Sequence, residues 1–388
     1  MPIVSSDRPR VDPFSAMVRG NRVTLLHDGA ASLPAMLEAI ESARREVLLE
    51  MYWFGSDKTG RRFADALSAK ARAGVPVCVI YDAVGSIEAD EAMFAAMSAA
   101  GCDVRQYNPI APWRRRFQIG LINNRDHRKI LVVDQRLAMT GGVNLGDPWA
   151  PEAEGGSGWR DDMICIEGVA ALRMREVFLS TWRELGGEAP GMPMSADEIR
   201  REALEEGSPV RVLTGDYRVM RAAIRRGYLE AIRRANEHIF ITNSYFVPDR
   251  VIRNTLAAAS KRGVDVKVLV PGESDVHAVY HAGRRLYEWH LRAGIELYEW
   301  HGTVLHAKSA VIDDRWCTVG TYNMDYRSWR SNLEVNVTVE DHGIARAMSE
   351  RFRADIARSR KLDLHDWRFR PLGDRLAEHF FYLFRKLL

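Results

Sequence analysis

Two stretches of the sequence carry the same reactive residues at the same spacing: HRKILVVD over residues 127–134 and HAKSAVID over residues 306–313. Each has a histidine, a lysine two positions on and an aspartate seven positions on, and the histidines stand 179 positions apart (306 − 127). The apolar tail of each stretch reads as a β-strand. Side chains alternate along a strand, so His127 with Lys129, and His306 with Lys308, project from one face. Asp134 and Asp313 fall on the opposite parity and open turns (DQR, DDR), which gives them a structural part. If those turns close hairpins, the returning segments TGGVN (140–144) and VGTYN (319–323) carry Asn144 and Asn323 back beside the histidines. Gly142 and Thr321, two residues earlier, are small enough to admit an anion close to the backbone.

The chemistry such a set suits is displacement at a phosphodiester. One neutral imidazole can attack phosphorus while the other, protonated, donates to the leaving alkoxide. Lysine and asparagine donors would stabilise charge on the non-bridging oxygens. The scheme needs no metal and no cofactor, and the chain offers neither an HExxH nor a DxD-type cluster nor a CxxC pair. A lone histidine is more often a surface or hydrogen-bonded residue, and a lone asparagine often serves a turn. The inference rests on the repetition of the whole pattern, and a matched pair implies that one site needs both copies.

The elements that must position these residues repeat as well. Residues 22–54 and 211–246 each read strand, helix, strand and end in an aromatic pair. FADALSAKARAGVPVCVIYD (63–82) is echoed by IRNTLAAASKRGVDVKVLVP (252–271), each a helix, a glycine stop at Gly74 or Gly263, and an apolar strand. AAGCDVRQYNP (99–109) and RAGIELYEWHG (292–302) repeat a helix end, Gly101 or Gly294, and a strand. Strands alternating with helices predict an α/β protein of two similar domains, each a mixed, mainly parallel sheet flanked by helices, with a pseudo-twofold relation. The expected division is a tail over 1–20, a first domain over 21–185, a linker with a short helix over 186–208, a second domain over 209–365 and a C-terminal amphipathic helix over 366–388.

Composition agrees with an ordinary globular protein: 46% hydrophobic and 28% charged residues over 388 positions. A net charge of +3 permits an anionic partner but does not favour nucleic acid. Cys78, Cys102, Cys165 and Cys317 stand far apart, three of them in strand-like contexts, and read as free buried thiols of a reducing compartment. No uncharged apolar run approaches the ~20 residues of a membrane span, and the first residues lack a signal peptide's apolar core.

Paired H-x-K-x4-D motifs, each followed by Gly-Gly or Gly-Thr and then Asn, resemble the phospholipase D superfamily. Within it, LEMYWF (49–54), GGVN, WRDD (159–162), NSYFVPD (243–249), GTYNMDYRS and SNLEVNV (331–337) are similar to bacterial cardiolipin synthases of the type without N-terminal transmembrane helices. The similarity covers roughly residues 20 to 370. It implies a phosphatidyl-histidine mechanism without metal, with His127 as nucleophile and His306 as general acid and then base. It also implies an acidic residue on the far nitrogen of each histidine. The matching positions are Glu334, 28 residues after His306, and Asp161, 34 residues after His127, although PWAPEAEGGSG (148–158) lengthens the second spacing and Asp162 stands adjacent. The implied activity is phosphatidyl transfer between glycerophospholipids, with phosphatidylglycerol and phosphatidylethanolamine as substrates. The implied location is the cytoplasm, peripherally on the inner face of the bacterial cell membrane. A phospholipase D-type hydrolase is the near alternative and a nucleic-acid phosphodiesterase the distant one.

Two stretches bear on the lipid surface. WRRRFQIGLINNRD (113–126) reads either as a lipid-facing lip or as packing between the halves. In LGDRLAEHFFYLFRKLL (372–388), Leu372, Leu376, Phe380, Leu383 and Leu387 share one helical face, as either an interfacial anchor or a docked terminal helix. His277, His281, His290 and His301 have no paired counterpart; those in VHAVYHAGRRLYEWHLRAG (276–294) read either as facing the cleft or, by default, as a helix surface.

Overall fold

The computed structural model describes residues 17–110, 123–202, 207–215 and 222–386. The tail over 1–16 and most of the proposed lip, residues 113–122, lie outside the described residues. The first half contributes β1 (Val18–His27), β2 (Val47–Met51), β3 (Val77–Asp82), β4 (Asp103–Tyr107), β5 (Lys129–Val133), β6 (Leu137–Gly141) and β7 (Asp162–Gly168). The second contributes β8 (Ser208–Gly215), β9 (His238–Asn243), β10 (Asp265–Pro271), β11 (Glu296–Trp300), β12 (Lys308–Ile312), β13 (Trp316–Gly320), β14 (Glu334–Val339) and the short β15 (Arg360–Lys361).

These strands form one sheet in the order β15-β11-β10-β9-β12-β13-β14-β8-β1-β7-β6-β5-β2-β3-β4. From the antiparallel β1–β8 seam outward, the two halves repeat the same order. The sheet is mixed, but the parallel share is smaller than the sequence led us to expect. Parallel pairing is confined to β2–β3–β4 and β9–β10–β11, where helices make the crossovers. Every other strand pairing is antiparallel, because the strands that carry the motifs return through hairpins, β7 comes back beside β1 and β14 beside β8, and the short β15 adds to the edge at β11.

Local chemistry accounts for the repeated elements. The helix Lys58–Arg72 is capped by Asp57, whose carboxylate accepts from Gly60 N–H, and the helix Arg250–Lys261 by Asp249, which accepts from Val251 and Ile252. Past their ends, Gly74 and Gly263 take positive φ of 85° and 93°, the left-handed stop that glycine adopts without strain. One apolar cluster straddles the seam. In it Ile166 of β7 and Val337 of β14 pack with Phe178 and Trp182 from the helix Ala170–Glu184 and Phe352 from the helix His342–Ala357. Separate clusters fill each outer half, so the seam is itself hydrophobic core. All four cysteines are buried and free.

The motif aspartates are structural, as their parity implied. Asp134 and Gln135, and likewise Asp313 and Asp314, have positive φ at the hairpin tips, the left-handed pair found at the centre of a type I′ turn, within connections of three residues. The Asp134 carboxylate accepts from the backbone N–H groups of Arg44, Arg45 and Glu46 at 2.6–3.1 Å. Asp313 accepts from Asn236, Glu237 and His238 at 2.8–2.9 Å. Each aspartate therefore fastens the motif hairpin to the start of the neighbouring strand. Asp134→Ala should lower unfolding free energy by about 2–4 kcal/mol, since three backbone donors lose a charged acceptor, and Asp134→Asn by less. Urea unfolding midpoints at constant m-value check the pair.

Candidate active site

The motif strands β5 and β12 begin at the lysines, and the histidines stand just ahead of them, where the backbone crosses to the other half. Asp126 forms a bridge with Leu333, and Arg160 with Leu305. His127 N–H donates to Leu333 O at 3.0 Å, and His306 N–H donates to Arg160 O at 2.8 Å. Glu334 follows Leu333, and Asp161 follows Arg160. Each histidine is thereby delivered to the acid of the opposite half: His127 Nδ1 lies 3.1 Å from Glu334 Oε2, and His306 Nδ1 lies 2.8 Å from Asp161 Oδ2. The within-half spacing singled out these two acids, but the partnerships are crossed.

His127, His306, Asn144 and Asn323 line one cleft of roughly 190 Å³. Lys129, Lys308, Asp161 and Glu334 lie behind them, fully buried. The Lys129 ammonium donates to His127 O at 2.9 Å and lies over the Tyr52 ring, and that of Lys308 donates to His306 O. Asn144 Oδ1 accepts from Trp53 N–H and its Nδ2 donates to Gly142 O at 3.4 Å, while Asn323 Oδ1 accepts from the Ser244 hydroxyl, so amide N–H groups beyond these bonds are the donors toward the cleft.

Gly142 and Thr321 do make room for an anion, but that anion is the protein's own carboxylate. A Cβ on Gly142 would sit 2.0 Å from Asp161 Oδ1. The Thr321 hydroxyl donates to Glu334 Oε2 at 2.5 Å. Asp161 takes its equivalent bond from Trp149 Nε1 at 2.8 Å, so the two acids are held by different donors. The adjacent Asp162 is not on His306. It accepts from Arg160 and Ser309, both at 2.6 Å, and Arg160 also grips Asp355 at 2.7 Å, tying the halves together beside the cleft.

Burial and neighbours set the protonation states. Burial raises the Glu334 carboxyl, but His127, Thr321 and Lys129 outweigh it and hold the group below its usual range. Burial acts the same way on Asp161, where His306, Lys308 and Trp149 outweigh it. Both acids are therefore ionised, so each accepts from an Nδ1–H and leaves Nε2 as the ring nitrogen available to the cleft. Burial, then Lys129, pushes His127 down to about 4, so its imidazole is neutral at pH 7. His306 is also lowered, by burial and Lys308, but Asp161 and Asp275 oppose the shift. Burial brings Lys129 down to about 7, with Lys308 the next cause, and brings Lys308 down to about 8.

The sequence reading missed the walls of the cleft. Tyr52 meets His127 edge-on at 4.8 Å, and Trp149 meets His306 edge-on at 5.3 Å with Trp159 beyond it. Tyr52 stands directly before the Trp53–Phe54 pair that ends the first repeat unit, so that pair was its signal, whereas Trp149 sits in the loop read only as lengthening and Trp159 opens the WRDD segment quoted for its resemblance alone. Arg125, paired with Asp82 at 3.6 Å, and Arg327 add positive charge to the lining. Among the unpaired histidines, His277 is exposed on its helix as expected, and His301 is exposed just after β11. His290 is instead fully buried between Phe246 and Trp289, neither ring nitrogen having a side-chain hydrogen-bond partner among the described residues, and burial pushes it down to about 3.

Comparison with known proteins agrees with this geometry. Residues 36–153 and 228–356 match the family described as cardiolipin synthase, PLD-like domain, so each matched segment carries one motif. The chain is 31% identical over 368 residues to the probable cardiolipin synthase YwiE of Bacillus subtilis (strain 168), covering 95% of this chain and 72% of that protein. It is 31% identical over 371 residues to a cardiolipin synthase of Geobacillus kaustophilus, covering 95% and 72%. Among solved structures, a phosphatidylserine synthase of Haemophilus influenzae Rd KW20 superposes with a TM-score of 0.72 over 94% of this chain and 95% of that one, at 15% identity, a likeness of fold. The two motifs, the duplicated sheet that closes them on one cleft and these matches together place the chain in the phospholipase D-like cardiolipin synthase family.

Proposed function

We propose that this protein is a cardiolipin synthase-type phosphatidyltransferase. It moves a phosphatidyl group from one glycerophospholipid, phosphatidylglycerol first among the candidates, to a hydroxyl of a second at the inner face of the cell membrane. The observation that carries the reading is the pair of imidazoles, each anchored through Nδ1 to an ionised acid, opening on a single cleft walled by amides, arginines and aromatic rings.

Neutral His127 Nε2 attacks phosphorus and forms a P–N bond. The P–O bond to the headgroup glycerol breaks, and His306 gives its proton to the departing alkoxide. The hydroxyl of a second lipid then enters, His306 takes its proton, the new P–O bond forms, and the P–N bond breaks to regenerate His127. Cardiolipin and glycerol leave. Burial lowers both rings, and each has one lysine that disfavours and one acid that favours its cation, Lys129 and Glu334 for His127 and Lys308 and Asp161 for His306; the difference that supports unequal roles is the further neighbour, Lys308 against the cation of His127 and Asp275 for that of His306. The lysines, asparagines and arginines supply the positive and hydrogen-bonding field for the non-bridging oxygens.

A pH dependence follows from the buried lysines. A bound phosphodiester stabilises their charged forms, so binding takes up protons and weakens as pH rises through their free values of about 7 and about 8. KM should therefore climb across that window while the turnover number changes less, as steady-state titration would read.

The function is tested by incubating purified protein, in EDTA, with vesicles of phosphatidylglycerol and phosphatidylethanolamine and identifying products by mass spectrometry. Cardiolipin and glycerol are expected. Phosphatidic acid alone would make the protein a hydrolase, and turnover that appears only when a divalent ion is restored would contradict the imidazole mechanism.

A further inference from the structure

The C-terminal helix Leu372–Leu383 is packed the wrong way round for a helix in water. Its docked side holds Glu378, fully buried and bound by the guanidinium of Arg370, with Arg284 at 3.6 Å. Phe381, stacked on His281, and Tyr382 complete that side against Val247, Val279, Ala282 and Leu286. The outer side is apolar: Leu372, Leu376 and Leu383 are 72%, 70% and 71% exposed, and Phe380 and Phe384 lie beside them. Leu387 lies outside the described residues. Buried charge with exposed leucines is the combination that signals a missing partner, because scattered surface leucines need no explanation and a continuous stripe does.

Position and charge say what the partner is. The helix His277–Arg284, on which the C-terminal helix rests, starts beside Val276, and Val276 and Val279 line the catalytic cleft. The apolar stripe is thus separated from the cleft by one helix, a width of about 10 Å. Arg375 lies on the helix itself, and beyond its end Arg385 and Lys386 join Arg250 and Arg253 around a groove of roughly 280 Å³. An apolar face edged by arginine and lysine fits acyl chains bordered by anionic headgroups. We infer that this stripe is the surface through which the protein lies on an anionic phospholipid bilayer, with the helix embedded at headgroup depth and the cleft mouth held against the lipid. The inference rests on the proposed use of membrane phospholipids and assigns the face that reaches them.

The test uses the full chain and the double variant Leu376→Glu/Leu383→Glu, whose sites are exposed. Co-sedimentation with vesicles of phosphatidylglycerol and of phosphatidylcholine reads binding, sedimentation velocity reads the solution mass, and hydrolysis of a soluble nitrophenyl phosphodiester reads the cleft. The variant should bind phosphatidylglycerol vesicles at least about tenfold more weakly than wild type, with solution mass and soluble turnover unchanged. Wild type should prefer phosphatidylglycerol vesicles, and Arg385→Glu/Lys386→Glu should erase that preference. Unchanged vesicle binding in the leucine variant would overturn the inference. So would a fall in solution mass without loss of vesicle binding, which would make the stripe an interface between copies of the chain. Binding is read without lipid turnover, so a protein that binds through the stripe but makes no cardiolipin would refute the proposed function and leave this surface standing.

Discussion

His306→Ala should lose lipid turnover by about 10⁴-fold or more, yet still release a burst of nitrophenol from a nitrophenyl phosphodiester. The lipid's departing alkoxide needs a proton, whereas nitrophenolate leaves without one. The burst should then stall, because deprotonation of the incoming hydroxyl falls to the same missing imidazole. His127→Ala should lose lipid turnover to the same extent and give no burst on either substrate. Stopped-flow absorbance separates the two, since steady-state loss on lipid is common to both. A burst in His127→Ala and none in His306→Ala would reverse the roles.

The crossed acids give the second large effect. Glu334 accepts from His127 Nδ1–H, which keeps the lone pair on Nε2. In Glu334→Gln the side-chain amide can donate to Nδ1, which moves the ring proton to Nε2 and removes the attacking lone pair. The nitrophenyl burst rate should fall about 10³-fold. Asp161→Asn weakens support for imidazolium charge on His306, so lipid turnover should fall comparably while the burst rate is nearly unchanged. If each acid served the histidine of its own half, the sensitivities would be exchanged: Asp161→Asn would suppress the burst and Glu334→Gln would spare it.

How much of this was legible follows from which interactions are local. The alternation of a strand placed His127 with Lys129 and His306 with Lys308, and repetition distinguished them from ordinary histidines. The hairpins and the turn aspartates were legible for the same reason, since turn chemistry is written in adjacent residues. The pairing of Glu334 with His127 was not, because it depends on the backbone bridges Asp126–Leu333 and Arg160–Leu305, which join positions far apart in the chain. The balance of parallel and antiparallel strands escaped similarly: periodicity marks β5, β6 and β7 as strands but not the neighbours they choose. Trp149 was hidden in a loop whose composition announced only a turn, and Trp159, though quoted in WRDD, had no local signal that aimed it at the cleft. For the C-terminal helix the sequence offered two alternatives, an interfacial anchor or a docked terminal helix, and periodicity alone did not show that Glu378, Phe381 and Tyr382 dock while the leucines stay outside.

The most direct measurement is to mix the protein with labelled phosphatidylglycerol vesicles, quench in base to preserve a phosphoramidate, and map the adduct by peptide mass spectrometry. A phosphatidyl group on the peptide containing His127, formed and consumed at the rate of turnover and absent in His127→Ala, is the predicted result. An adduct on His306, or cardiolipin formed with no protein adduct at any time, would contradict the account.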